Sequence, residues 1–236
     1  MVEAVTVGLA AGAVVALGWT VPFAATAIQY RRRDNGLAYL LLVAGVAVWN
    51  AMVAAQLLTR EPLVQVFFLA LSVVGAVLTG LGWFLFAATA SGTASTLDRA
   101  DVYALVAILG GLDIALAITA PIHPFYWTPG TASAAGFAAI TPAAGYWLHT
   151  VFIAGLFGAG TALFADAWRA GTNVRYSRSY AVLGALTVAA VVGSNVLAPG
   201  GLDVAPLAAA VLTSVGWVQA SRGRVMARVR GQLARS

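Results

Sequence analysis

Asp113 and His149 are ionisable side chains set inside long apolar runs, where a polar group is costly and marks function by default. Asp113 stands seven residues before the end of one run and His149 six residues into the next, which at about 1.5 Å rise per residue puts them roughly 10 Å and 9 Å deep from the same side. On sequence-adjacent antiparallel helices the two are placed to form a carboxylate–imidazole pair whose joint protonation would sense a ligand or pH. Depth alone does not fix helix rotation, so two separately satisfied polar groups are the alternative. Asn50, Gln56, Gln65 and Asn195 add polar groups in the same half. Each also has a plain reading as an interhelical hydrogen bond worth on the order of 1 kcal/mol. Asp113, His149, Asn50 and Asn195 are therefore the candidate lining of a pocket for a small ligand or a proton, with Gln65, Trp147 and His123 as further candidates.

Other chemistries find no residues. There is no HExxH, GxSxG or phosphate loop, and two histidines without cysteine make a poor metal site, so neither a catalytic residue nor a metal is expected. The chain has no lysine, which removes the amine needed for a retinal Schiff base, and no cofactor is expected. Asp166 lies near the opposite end of its run, within reach of water or of Arg169 three residues on. The inner halves otherwise offer few ionisable groups, which argues against an ion or small-molecule carrier.

The elements that hold these residues follow from composition: 61% of the residues are apolar and 9% charged, so a soluble fold is excluded. Apolar runs punctuated by Gly, Pro and polar residues predict an all-α membrane protein, a seven-transmembrane-helix bundle, with helices at about 4–29, 36–58, 62–87, 102–120, 143–167, 180–198 and 204–220. The runs are apolar all round and too long for the strands of a membrane barrel. Arg31, Arg32, Arg33, Arg99, Arg169, Arg175, Arg178, Arg222, Arg224, Arg228, Arg230 and Arg235 then fall on one side and Arg60 alone on the other. The positive-inside rule places the N-terminus outside and the C-terminus in the cytoplasm, in a multi-pass plasma-membrane protein. The formal charge of +5 reads as a topology signal rather than a nucleic-acid surface. The first run lacks a positive stretch before it and is followed by Arg31-Arg32-Arg33 instead of a small-residue cleavage site, so it reads as a retained helix.

Three further features leave two readings each. The segment Pro121–Pro142, with Phe125, Tyr126 and Trp127, is either a cap over the outer mouth or an interfacial anchor. Gly8 and Gly12 form a GxxxG step, and Gly155, Gly158 and Gly160 thin another helix, which serves intramolecular packing or a homodimer. After the seventh helix, 221–236 reads as a basic tail with Val225, Val229 and Leu233 at four-residue steps. It is a short helix on the inner leaflet or the first turns of a signalling helix.

Several short motifs together resemble those of a known family. Thr119-Ala120-Pro121-Ile122-His123-Pro124-Phe125-Tyr126-Trp127 is similar to a T-N-P-x-H stretch with its aromatics, and Gly145-Tyr146-Trp147-Leu148-His149 to a G-x-x-F-W-x-H helix entry. Asn195 with Asp203 and Pro206 resembles an N and D-x-T-P spacing, and Trp83-Phe84-Leu85-Phe86 a W-x-F-x-L segment. The family is the N-terminal seven-helix sensor region of archaeal and bacterial histidine kinases. Ala120 replaces its Asn, Arg178 its usual Gln, and Ala87 and Ala88 stand where an acidic or aromatic continuation is common. The resemblance implies a non-enzymatic, receptor-like input module that passes a signal to a cytoplasmic kinase or other effector, here on another chain or beyond this C-terminus. The alternatives are a carrier and a structural membrane subunit.

Overall fold

In lipid every backbone N–H and C=O must be satisfied within the protein, and a helix does this within one segment. The computed structural model describes residues 2–31, 35–91, 100–129, 140–172, 174, 176–200 and 203–214. Six helices in it are long and apolar enough to cross a membrane. They are α1 (Val2–Tyr30), α2 (Gly36–Leu58), α3 (Pro62–Ala90), α4 (Ala100–Ile118), α5 (Ala144–Arg169) and α6 (Ser177–Leu197). A seventh apolar helix, α7, covers Ala205–Ser214. The expected continuation of that helix to 220, the basic tail 221–236, and Arg32, Arg33, Arg99 and Arg175 lie outside the described residues.

Helix starts follow local chemistry. Pro62 opens α3, where its missing N–H costs nothing and its fixed φ suits the first turn. The tightest packing joins α2 and α3, because glycines let the two backbones touch. A Cβ at Gly45, Gly75 or Gly82 would lie within 3.0 Å of the backbone at Thr79, Trp49 or Leu42 respectively. The GxxxG step behaves differently: a Cβ at Gly12 would meet only the Leu207 side chain at 3.6 Å, and nothing lies near Gly8.

The turns at 59–61, 119–129 with 140–143, and 198–200 with 203–204 gather at one end of the bundle. The longest departs from an all-helical chain. It runs through a 3₁₀ turn, Ala120–Ile122, into strands β1 (Trp127–Pro129) and β2 (Ile140–Pro142), paired antiparallel with Trp127 opposite Pro142. Residues 130–139 lie outside the described set. Tyr126 and Trp127 are buried at 0% and 2% exposure, so the segment packs onto the bundle. Its carbonyls also serve the start of α5, where Ala143 and Gly145 donate backbone N–H groups to Tyr126 O and Phe125 O at 3.1 and 2.9 Å.

Near the opposite end an aromatic cluster fills the core. Phe164 stacks on Tyr180 with ring centroids 4.5 Å apart, and Trp83 lies 5.1 Å from Phe164 and donates its indole N–H to Phe157 O at 3.1 Å. The most peripheral helix is α4, which packs on α3 and touches α5 sparsely while Leu105, Ile108, Leu109 and Leu112 face outward.

Candidate functional site

Asp113 and His149 each lie five residues from the hairpin end of their helices, α4 ending at Ile118 and α5 beginning at Ala144. Equal depth becomes contact: His149 Nδ1 stands 2.6 Å from Asp113 Oδ2, with the side chains only 7% and 11% exposed. A contact this short has the length of a charge-assisted hydrogen bond. The second carboxylate oxygen, Oδ1, accepts from the Tyr126 hydroxyl at 3.0 Å. Burial, reinforced by the neighbouring Asp113 carboxylate, pushes the Tyr126 hydroxyl well above its ordinary value, so it remains a donor. The Tyr126 ring also lies 6.0 Å from the imidazole. The long connection is thus fastened to the bundle through the carboxylate of the peripheral helix.

His149 faces inward onto a cavity of about 40 Å³ bounded by α2, α3, α5, α6 and the 198–203 turn. Its polar lining includes Gln56, Ser72, Tyr146, Ser194, Asn195 and Asp203, with Trp49 and Trp127 as walls. That space holds about three waters. Around it, side chains tie the helices to the second turn. Tyr146 donates its hydroxyl to Asn195 Oδ1 at 2.7 Å, joining α5 to α6. Trp49 Nε1 donates to Asp203 Oδ2 at 2.9 Å, and the Ala205 N–H donates to Asp203 Oδ1 at 3.0 Å. Gln56 Nε2 donates to Gly200 O at 3.1 Å, where the chain takes a φ of +70° that glycine adopts without strain. Burial raises the Asp203 carboxyl above its usual value. The Ala205 N–H, the Trp49 indole, the charge of His149 and Ser194 pull it back down.

On its other side the ion pair borders a lateral groove of about 370 Å³ between α4 and α5. Leu109, Leu112, Leu116, Leu148, Val151, Phe152 and Asp113 are among its lining residues.

The remaining candidates separate. Asn50, fully buried, donates Nδ2 to Val46 O and to Pro206 O at 2.9 and 3.1 Å, and its Oδ1 has no partner among the described residues. It therefore supports the start of α7 rather than lining the cavity. Gln65 reaches back to Thr59 O at 2.6 Å and ties the turn between α2 and α3. His123 lies 3.0 Å from Thr119 Oγ1 and accepts the Phe125 N–H at 3.3 Å, a local turn contact. Trp147 is 42% exposed, edge-on to Tyr146. Tyr126, Tyr146, Trp49 and Asp203 are site residues that sequence reasoning left out of the candidate set. Asp203, Tyr146 and Tyr126 all stood in the quoted motifs, but the inward aim of Tyr126 had no signal, because the hairpin that turns it follows from packing.

A family model, the N-terminal 7TM region of histidine kinase, matches residues 7–228. No curated protein and no solved structure matches the chain.

Proposed function

This chain belongs to the family of N-terminal seven-transmembrane regions of histidine kinases, and from that premise we propose that the polar cluster at its hairpin end is the sensing element of a receptor-like input module. Family membership makes it a non-catalytic, multi-pass membrane region associated with a kinase. The proposal adds the sensor site, its stimulus and the route of the signal.

The arginine distribution supports an N-terminus outside the plasma membrane and a hairpin end facing outward, with 1–220 as the sensor and 221–236 leading to a cytoplasmic effector. The observation that carries the reading is the Asp113–His149 pair, buried under Tyr126 at the boundary of a water-sized cavity. A cavity of about 40 Å³ suits a proton, water or a ligand of very few atoms. The groups that face the pair are Tyr126 from the connection and Asp203 from the α6–α7 turn. A change of proton or hydrogen-bond partner at His149 is felt by Asp203, hence by the turn that starts α7.

That helix is tied to other helices along its described length. Trp49 and Asn50 bind the turn and Pro206, while Tyr39 donates its hydroxyl to Thr213 O at 3.1 Å and Trp19 Nε1 donates to Ser214 Oγ at 2.8 Å. A stimulus shifts such a bundle only by favouring one of its two states. The chain has no cysteine, so spin labels placed at Val211→Cys and Ile28→Cys, both exposed, report the α7–α1 distance without background. A distance distribution that changes on acidification in the parent, and not in Asp113→Asn or His149→Ala, is expected. An identical response in all three proteins sinks the assignment.

A further inference from the structure

The lateral groove raises a question that the inner cavity does not. It is about nine times the volume of that cavity, about 370 against about 40 Å³, and falls within the roughly 300–1,000 Å³ range of small-ligand sites. Its rims, Leu109, Leu112, Leu148 and Val151, are 42–70% exposed on the outward faces of α4 and α5. In a bilayer such rims meet acyl chains, so the groove opens sideways into lipid. Its wall nevertheless contains the carboxylate of Asp113, its only charged lining group among the described residues. That carboxylate is held by His149 and Tyr126, yet it also borders the groove, where lipid offers it no solvation.

From this we propose that the α4–α5 groove binds a membrane-borne single-chain amphiphile whose uncharged or cationic head donates a hydrogen bond to Asp113. The apolar rims take the chain. Each carboxylate oxygen already accepts one hydrogen bond, from His149 or from Tyr126, and has a second lone-pair direction to offer. An anionic head is repelled by the same group. Because Asp113 lines the groove and His149 lines the cavity, with 2.6 Å between them, the ion pair is the partition between the two spaces. A head that adds a hydrogen bond to Asp113 weakens the hold of the carboxylate on the imidazole, which gives the sensor a lipid-soluble input from the membrane plane. That consequence rests on the sensor reading, whereas occupancy of the groove does not.

The test uses the full chain in nanodiscs with two photoreactive probes, a diazirine-bearing dodecanol and the matching diazirine-bearing dodecane. The alcohol is expected to label 109–116 and 145–152 preferentially, and the alkane to label outward faces of all helices evenly. Val151→Trp fills the groove from a position already 70% exposed, and Leu112→Trp does so from the opposite wall should the first variant fold poorly. Either is expected to reduce alcohol labelling at these segments about tenfold, and Asp113→Asn by a similar factor, as the loss of one hydrogen bond to a charged acceptor implies. Even labelling by both probes, or labelling unchanged in the variants, would overturn the proposal. The spin-label distances read response and the probes read occupancy. A pH response with even labelling removes the groove site alone, and labelling without any response removes the sensor reading alone.

Discussion

Replacing His149 by alanine removes the imidazole from a 2.6 Å contact in which both side chains are nearly buried, leaving Asp113 with the Tyr126 hydroxyl as its described partner. Breaking one side of a buried pair costs about 3 kcal/mol or more in soluble proteins, because the surviving charge stays in a poor solvent. Interhelical polar contacts in membranes average lower, so we take about 2–3 kcal/mol for His149→Ala. At about 2–4 °C per kcal/mol for a chain of this size, the expected drop in melting temperature is about 4–12 °C. Asp113→Asn removes the charge but keeps an oxygen for Tyr126, and its cost is expected to be about 1 kcal/mol. The informative protein is the double variant. With the charge gone, nothing is left stranded when His149 is removed, so Asp113→Asn/His149→Ala should be more stable than His149→Ala alone, by about 1 kcal/mol or more. Thermal unfolding in one detergent, followed by tryptophan fluorescence, gives all four corners of the cycle. Simple additivity, with the double variant the least stable, would refute the claim that the two groups act as one unit.

Four further outcomes follow from the geometry. Gly75→Val forces a side chain into the Trp49 backbone and should destabilise by about 1–3 kcal/mol or more, whereas Gly8→Val, with nothing within 4 Å, should stay within about 0.5 kcal/mol in the same unfolding assay. Because burial raises the Asp203 carboxyl above 3.8, the folded state holds that proton more tightly than the unfolded one. Its contribution is full at low pH and is lost as pH rises through the raised value, so the melting temperature should fall with rising pH from about 4 upward, and less steeply in Asp203→Asn. Tyr39→Phe deletes one tie to Thr213 O and should cost about 1 kcal/mol while speeding hydrogen exchange across Ala205–Ser214. For the proposed orientation, a cysteine at Arg60 in an intact cell should react with an impermeant maleimide and one at Arg178 should not.

What could be read in advance divides along a physical line. The apolar runs give the helical bundle directly, because in lipid the backbone leaves few other choices, and Gly36 and Pro62 stand at the starts of α2 and α3. The depths of Asp113 and His149 follow from counting residues, but their facing does not: rotation about a helix axis depends on packing along its whole length, and α4 offers little amphipathic signal. Tyr126 stood in a quoted motif, but its contact was hidden for a stronger reason. It reaches Asp113 only because β1 and β2 pair and carry the connection back over the bundle, a long-range event with no local period. The intimate glycines were hidden by abundance. With 25 glycines in the chain, the spacing that marks Gly8 and Gly12 could not be told from the placement that makes Gly45, Gly75 and Gly82 essential.

The distribution of polar groups along the bundle also bears on the choice between an input module and a carrier. A carrier needs a site that can be reached from each side in turn, and so a path that can be wetted beyond the site. Below the cavity, the described core passes from Ser72 and Thr150 to Trp83, Phe157, Phe164 and Tyr180, of which the last four are fully buried and in mutual ring or hydrogen-bond contact. Opening a path there would separate a stacked pair at 4.5 Å and break the indole bond to Phe157. The α6–α7 turn presents the opposite situation. It is short, passes through Gly200 at positive φ, and is held by side-chain hydrogen bonds from Trp49, Asn50, Gln56 and Ser194 that can be exchanged one at a time. Motion at this turn with the aromatic core intact moves α7 without opening the membrane, which is what an input region requires and a carrier cannot use.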